Sequence, residues 1–451
     1  MSETNSQGLK RNVGLFAAIC LMTGCVVGAS VFIVPGELSA STGPTAWLSY
    51  LIGGILILFS CFIFAQVGSI LPVAGANYVL CTGTVNGTYG FLYVWAFLMS
   101  NSFLFPIMSE TSATYLAVIF PPLADYPQVV AIAVFVLTCA INLLGNNLST
   151  KIQNACVILL VAVVLIFSFG GIANANWDHF VPMFPSGVMP VIIGVISTYY
   201  AFAGVNCIIE LSGEIKNPGK NIPRTVFISF GIVITMYIGM CVGLVALMPP
   251  SELGVAAPAV TASLLVFPSW FQYFIALAAL AASWTTLNGI LASMARLIYV
   301  LGKNSILPKP LGKINRYGVP HNAIIVLTVV GLLMILFSAA IMQWVNISSF
   351  YLLLVSALVA VASLRIKTHF ANQYEQAEFK LKGVWYYVWP ILAIVTAIFF
   401  MGLQFQQDPV MTGASLVLVP IAVGIYIIRK KKLEADGSSL DQKIMDDMNQ
   451  S

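Results

Sequence analysis

Apolar residues run in long blocks along this chain, separated by short polar connections. A helix needs roughly 20 residues to cross a bilayer, and the blocks divide into twelve spans of that order. They lie near residues 13–37, 45–71, 88–120, 128–146, 152–174, 186–213, 223–248, 268–300, 321–341, 346–365, 385–405 and 410–429. The third and eighth blocks are long enough to tilt or to extend past the hydrocarbon. The runs are continuous rather than ten-residue alternations, which excludes an outer-membrane barrel. The pattern predicts an all-α polytopic membrane protein with 12 transmembrane helices.

Two blocks carry interruptions. The first contains Thr23-Gly-Cys-Val-Val-Gly-Ala-Ser-Val-Phe-Ile-Val-Pro35. Gly24 and Gly28 each weaken a helix by about 1 kcal/mol relative to Ala. Pro35 removes a backbone donor. The sixth contains Thr198-Tyr-Tyr-Ala-Phe-Ala-Gly-Val-Asn206, with Gly204 near mid-span. A break at membrane depth survives only against protein or a wet cavity, because unpaired backbone groups cost several kcal/mol in lipid. It also leaves free N–H groups at a half-helix end, which attract a carboxylate. The start of the sixth block lies five spans after the start of the first. An odd number reverses the direction of crossing, so spans 1–5 and 6–10 would be inverted repeats, residues 13–174 and 186–365. Their breaks would then meet near the midplane, where inverted-repeat transporters hold substrate. Spans at 385–429 fall outside the repeat and are available for lipid contact or a homodimer.

Charge supports the count. All 20 Lys and Arg residues fall in the termini, the even-numbered connections or the span ends beside them. The odd-numbered connections carry Asp125, Asp178, Glu252 and Asp408 and no basic residue. The positive-inside asymmetry places both tails, 1–12 and 430–451, in the cytoplasm. Compact loops fit a bacterial inner membrane. The run Arg429-Lys430-Lys431-Lys432 is placed to anchor the last helix at anionic lipid headgroups.

Composition narrows the function. Only 8% of residues are charged and 59% are hydrophobic, against about 25% charged in a soluble domain. No sizeable soluble domain fits, which argues against a receptor with an output domain. The first block exceeds a signal peptide's apolar core and is expected to remain in the chain. The 8 cysteines include no CxxC pair and lie mostly within apolar blocks, as small core residues. The 3 histidines are far apart, so no metal, cofactor or nucleic-acid partner is expected. No catalytic His, Asp or Ser cluster marks an enzyme, and no filter loop marks a channel.

Further residues give this pattern a likeness. The first span ends Gly28-Ala29-Ser30-Val31-Phe32, then Pro35-Gly36. The sixth reads Phe202-Ala203-Gly204-Val205, continued by Glu214-Ile215-Lys216-Asn217-Pro218 and Asn221-Ile222-Pro223-Arg224. The eighth contains Leu287-Asn288-Gly289, then Ala295-Arg296, Tyr299 and Leu307-Pro308, and Val319-Pro320 opens the ninth. Together these resemble the amino acid–polyamine–organocation superfamily of permeases, over roughly residues 10–430. The resemblance implies a 5+5 inverted repeat with discontinuous helices 1 and 6, plus two C-terminal helices. It implies alternating access by rocking of spans 1, 2, 6 and 7 against a scaffold. By position it puts the substrate carboxylate on Gly28, Ala29 and Ser30. It puts the α-amino group on carbonyls of Cys25, Val26, Phe202, Ala203 and Val205, beside Gly204. The opposed half-helix ends match the charges of a zwitterion.

The chain departs from that pattern in places. Ser30 stands where the family commonly has Gly, which narrows the cradle. The aromatic gate of related exchangers falls near Tyr200 or Phe202. A Glu of polyamine and arginine carriers is Asn206 here, which argues against a dicationic substrate. A fifth-span Lys of some relatives is missing, its matching place being near Leu160.

Four residues are candidates for coupling or gating. Glu110, in the third span, could partner a cationic substrate group, carry a proton or sit solvated near the far interface; a carboxylate at membrane depth costs roughly 2.5–3.5 kcal/mol. Glu210 could pair with a gate residue or with Lys216. Ser283 and Thr286, with Thr285 and Asn288, form a hydroxyl-rich patch on the eighth span. Such hydroxyls either bond their own helix carbonyls or hold sodium in related folds. The leading reading is a secondary transporter for an amino acid or related small amine, by proton-linked symport or exchange. The alternative is a polyamine or cationic amino-acid antiporter, with a sodium-coupled symporter behind it.

Overall fold

A computed structural model describes residues 11–28, 30–202, 204–255, 257–337, 341–407 and 409–435. Its helices are α1 (Leu15–Val27), α2 (Ser30–Thr42), α3 (Ala46–Ile70), α4 (Ala76–Thr84), α5 (Gly87–Ser102), α6 (Leu104–Ile119) and α7 (Pro127–Leu143). They continue with α8 (Asn146–Ala173), α9 (Met189–Ala201), α10 (Cys207–Glu210), α11 (Pro218–Leu247), α12 (Pro258–Val266) and α13 (Phe271–Lys303). The last are α14 (His321–Leu336), α15 (Ile341–Ser363), α16 (Ile366–His369), α17 (Ala371–Gln376), α18 (Trp385–Gln407) and α19 (Pro409–Ala435). No strand occurs among the described residues; one parallel bridge joins Val13 to Ile215.

Among the described residues, seven helical segments are long and apolar enough to cross a membrane, and four shorter helices are apolar. This is a multi-pass membrane protein. Burial separates its inner helices from its outer ones. The most apolar stretch of α13 is 78% buried, whereas that of α18 is 33% buried. The outer helices expose large apolar side chains, among them Val136 and Leu137 on α7, Ile166 and Phe169 on α8, Val329 and Leu333 on α14, and Ile398 and Phe399 on α18. In lipid such a surface costs nothing, so hydrophobicity there reports the solvent rather than the core.

The sequence blocks map onto these elements with some differences. The third block is one 33-residue apolar segment with a local interruption at Phe103, which separates α5 from α6 while keeping helical angles. The eighth block is continuous for 33 residues. The connections at 72–87 and 249–267 hold short helices of their own, α4 and α12. At the centre, α13 packs against α1, α6 and α8, and α11 packs against α1, α3 and α8.

Candidate functional site

The first interruption falls at Gly28. Its φ of 51° with ψ of −176° cannot continue a right-handed helix, and α1 stops there. The Ser30 hydroxyl, at the start of α2, donates back to the Val27 carbonyl at 2.9 Å. Gly24 and Pro35 do not form the break. Gly24 lies inside α1, where a Cβ would meet Thr285 Cβ at 2.8 Å and Val157 Cγ2 at 3.0 Å, so its role is close packing. Pro35 lies inside α2, which gives up one hydrogen bond and continues. Ala29 lies outside the described residues.

The second interruption runs from Phe202 to Asn206. Helix α9 ends at Ala201, and α10 resumes at Cys207, whose N–H donates to Gly204 O at 2.9 Å. Gly204 takes φ 97°, and a Cβ on it would stand 2.6 Å from Cys25 O. The second break therefore touches the last turn of α1, just ahead of the first break, backbone against backbone. Phe202, Val205, Cys25 and Val26 are all buried around this contact. Ala203 and the side chain of Tyr200 lie outside the described residues.

One side chain joins the two breaks. Tyr237, buried on α11, has its hydroxyl 2.8 Å from Val27 O, 3.0 Å from Ala201 O and 3.0 Å from Ser30 Oγ. It stacks on Tyr50 of α3, with centroids 4.7 Å apart, and meets Phe202 edge-on at 5.7 Å. The carbonyl ends of α1 and α9 carry partial negative charge and call for a donor or a cation. A single hydroxyl has one proton to give, so it cannot serve both carbonyls at once. Sequence reasoning did not select Tyr237. The available signal was a phenol in the middle of an apolar 30-residue helix, where a buried hydroxyl normally finds a partner.

Helix α13 closes the other side. Thr286 donates to Gly24 O at 2.8 Å. The Thr285 hydroxyl lies 2.8 Å from Ala282 O of its own helix and 3.3 Å from Gly24 O, with one proton for the two. Ser283 bonds only back to Ala279 O, at 3.1 Å. Asn288 anchors a second layer: its Oδ1 accepts from Asn142 Nδ2 at 2.8 Å and Ser149 Oγ at 2.7 Å, and its Nδ2 donates to Gln153 Oε1 at 2.8 Å. The fifth-span residue against α1 is thus Gln153, beside Gly24; Leu160 follows two turns later on the same face of α8, buried among apolar side chains. Met108 of α6 also reaches Gly28.

The remaining candidates are dispersed. Glu110 is half-buried on α6. Glu210 is fully buried and does not meet Lys216; Tyr93 and Asn77 hold it instead. Asn206 is buried in the second break, and neither its Oδ1 nor its Nδ2 has a hydrogen-bond partner among the described residues. Polar atoms so placed are costly unless something pairs with them. Below the breaks, Arg296 Nε pairs with Glu214 Oε1 at 2.6 Å, both buried. Val13 N–H donates to Glu214 O at 3.0 Å and Val13 O accepts from Lys216 N–H at 2.8 Å, so the chain ahead of α1 is fastened to the segment after α10.

An all-helical membrane protein with two abutting helix breaks defines the class of a solute carrier built on discontinuous helices. Residues 13–427 match the amino acid permease family, and the chain belongs to it. Among its relatives, the branched-chain amino acid permease BcaP of Lactococcus lactis is 26% identical over 92% of this chain and 94% of its own length. The serine/threonine exchanger SteT of Bacillus subtilis is 26% identical over 95% of this chain and 99% of its own. The methylthioribose transporter of Bacillus subtilis is 24% identical over 70% of this chain and 72% of its own.

Proposed function

We propose that this protein is a secondary transporter that moves an amino acid or related small amine by alternating access, by proton-linked symport or by exchange. The observation that carries this reading is the contact between the two breaks, Gly204 against Cys25 O, bridged by Tyr237. The substrate carboxylate would meet the N-terminal end of α2 at Gly28–Ser30. The ammonium would take the carbonyls that Tyr237 now addresses, displacing its hydroxyl. Asn206 would pair with a polar group of the substrate. Spans 1–5 (α1 to α8) and 6–10 (α9 to α15) would form the inverted repeats. Helices α18 and α19 would face lipid or a second copy. The absence of Lys and Arg from the odd-numbered connections supports cytoplasmic termini in an inner membrane.

Purified protein in liposomes tests this with a panel of L-leucine, L-serine, L-threonine, L-arginine and putrescine, with pH and sodium varied separately. Saturable uptake of zwitterionic amino acids is expected. Accumulation of putrescine alone would replace this reading with the polyamine one, for which Glu110 is the residue in favour.

A further inference from the structure

Glu210 takes no part in the contacts described between the breaks. It is the last residue of α10, the short helix that follows the second break, and it is fully buried. Its Oε1 accepts from the Tyr93 hydroxyl of α5 at 2.5 Å and from Asn77 Nδ2 of α4 at 2.8 Å. Its backbone carbonyl accepts from Gly75 N–H at 3.1 Å. Its Oε2 is buried and has no hydrogen-bond partner among the described residues.

Among the described residues the surroundings supply no ion pair for it. From α4 the carboxylate is faced by Asn77 and Cys81, and from α5 by Tyr93. Helix α3 carries no charged residue. From α1, Cys25 lies against Cys207 at the other end of α10. From α13, Ser293 Oγ bonds Cys207 O at 3.3 Å, and Arg296 is committed to Glu214 at 2.6 Å. Both hydrogen bonds to Glu210 thus come from neutral donors. A carboxylate held away from water without a cation carries a large desolvation penalty. A proton is the one counter-charge small enough to reach it without displacing a side chain.

We propose that Glu210 is the residue on which a proton rides during each transport cycle. The proton adds to Oε2 from water on one side of the membrane and leaves to water on the other. No electrons move, and the carboxyl passes from charge −1 to 0 and back. The location suits the task. Helix α10 must shift if the second break opens, whereas Tyr93 and Asn77 belong to α5 and α4, which pack against α15. The hydrogen bonds to Tyr93 and Asn77 therefore stand where the mobile break meets its frame. This rests on the transport reading above and assigns the coupling residue within it.

The test uses liposomes and the panel compound that the wild type moves best. Two quantities are read: counterflow without a gradient, and accumulation driven by an inward proton gradient. For Glu210→Gln, counterflow should persist while driven accumulation falls by about tenfold or more and its pH dependence flattens. Wild-type accumulation with an unchanged pH profile in Glu210→Gln would overturn the proposal. So would a wild type that shows counterflow but no response to a proton gradient, and that result would leave the transport reading standing. A wild type that moves no panel compound would instead remove the transport reading itself. Should Glu210→Gln fail to insert, Tyr93→Phe keeps the carboxyl and removes one donor. It should retain counterflow with a displaced pH profile, and an undisplaced profile would count against Glu210.

Discussion

Gly204 carries two separate demands, a positive φ and the absence of a Cβ, and they can be told apart. At Gly204 a Cβ would press on the Cys25 carbonyl at 2.6 Å, whereas at Gly187, with φ 82°, nothing lies within 4 Å. Backbone strain of this kind costs of order 1–3 kcal/mol. Gly204→Ala should therefore cut uptake about tenfold or more while the protein still inserts, and Gly187→Ala should leave uptake near wild type. Equal losses in both variants would mean that strain alone matters and that the contact between breaks does not. Tyr237→Phe removes the hydroxyl shared by Val27 O and Ala201 O; Ser30 still donates to Val27 O, so Ala201 O is the acceptor left without its side-chain donor, at about 1–3 kcal/mol. A lower unfolding temperature in detergent is expected, and an unchanged one would show that Ala201 O finds another donor. At this scale sequence and structure part company in an instructive way. Gly28 and Gly204 were visible through the motifs around them, since glycine by itself is common in membrane helices. Tyr237 and Gln153 were not, because their importance comes from contacts with residues on other helices, distant in sequence.

Helices in this molecule end for backbone reasons more than for lack of hydrophobicity. Gly28 ends α1, yet Pro35 only weakens α2, so proline was the poorer guide to the break. Helices α5 and α6 meet at an interruption at Phe103 that composition does mark, since Asn101 and Ser102 precede it and Pro106 has no N–H to give to the Ser102 carbonyl. The short helices α4 and α12 were hidden because they are too brief to leave a periodic signal. Between elements, the buried Arg296–Glu214 pair joins α13 to the segment after α10. Removing one partner of such a pair strands the other and costs about 3–5 kcal/mol. Glu214→Ala should lower the unfolding temperature strongly, and adding Arg296→Ala should lower it less than the sum of both single changes. Strict additivity in a thermal-melt cycle would show that the two side chains are not coupled.

Taken whole, the most buried of the long segments are α1 with α2, α5 with α6, and α13, and other helices, among them α7, α8, α14 and α18, expose apolar side chains. That arrangement was legible in the long apolar blocks, because a bilayer imposes length and composition directly on sequence. The meeting of the two breaks was legible only through the five-span spacing and the family likeness, since spacing gives direction of crossing but not proximity. The proposal that the interior between the breaks is the substrate site can be tested at Cys25, whose carbonyl faces Gly204 and whose thiol packs against Gly289. A variant keeping Cys25 alone of the 8 cysteines would be exposed to a small maleimide in liposomes, with and without the transported amino acid. Saturating substrate should slow the labelling of Cys25 by about tenfold, with a half-effect at the concentration that half-saturates transport. Labelling that proceeds unchanged while transport saturates would place the substrate elsewhere and contradict the account.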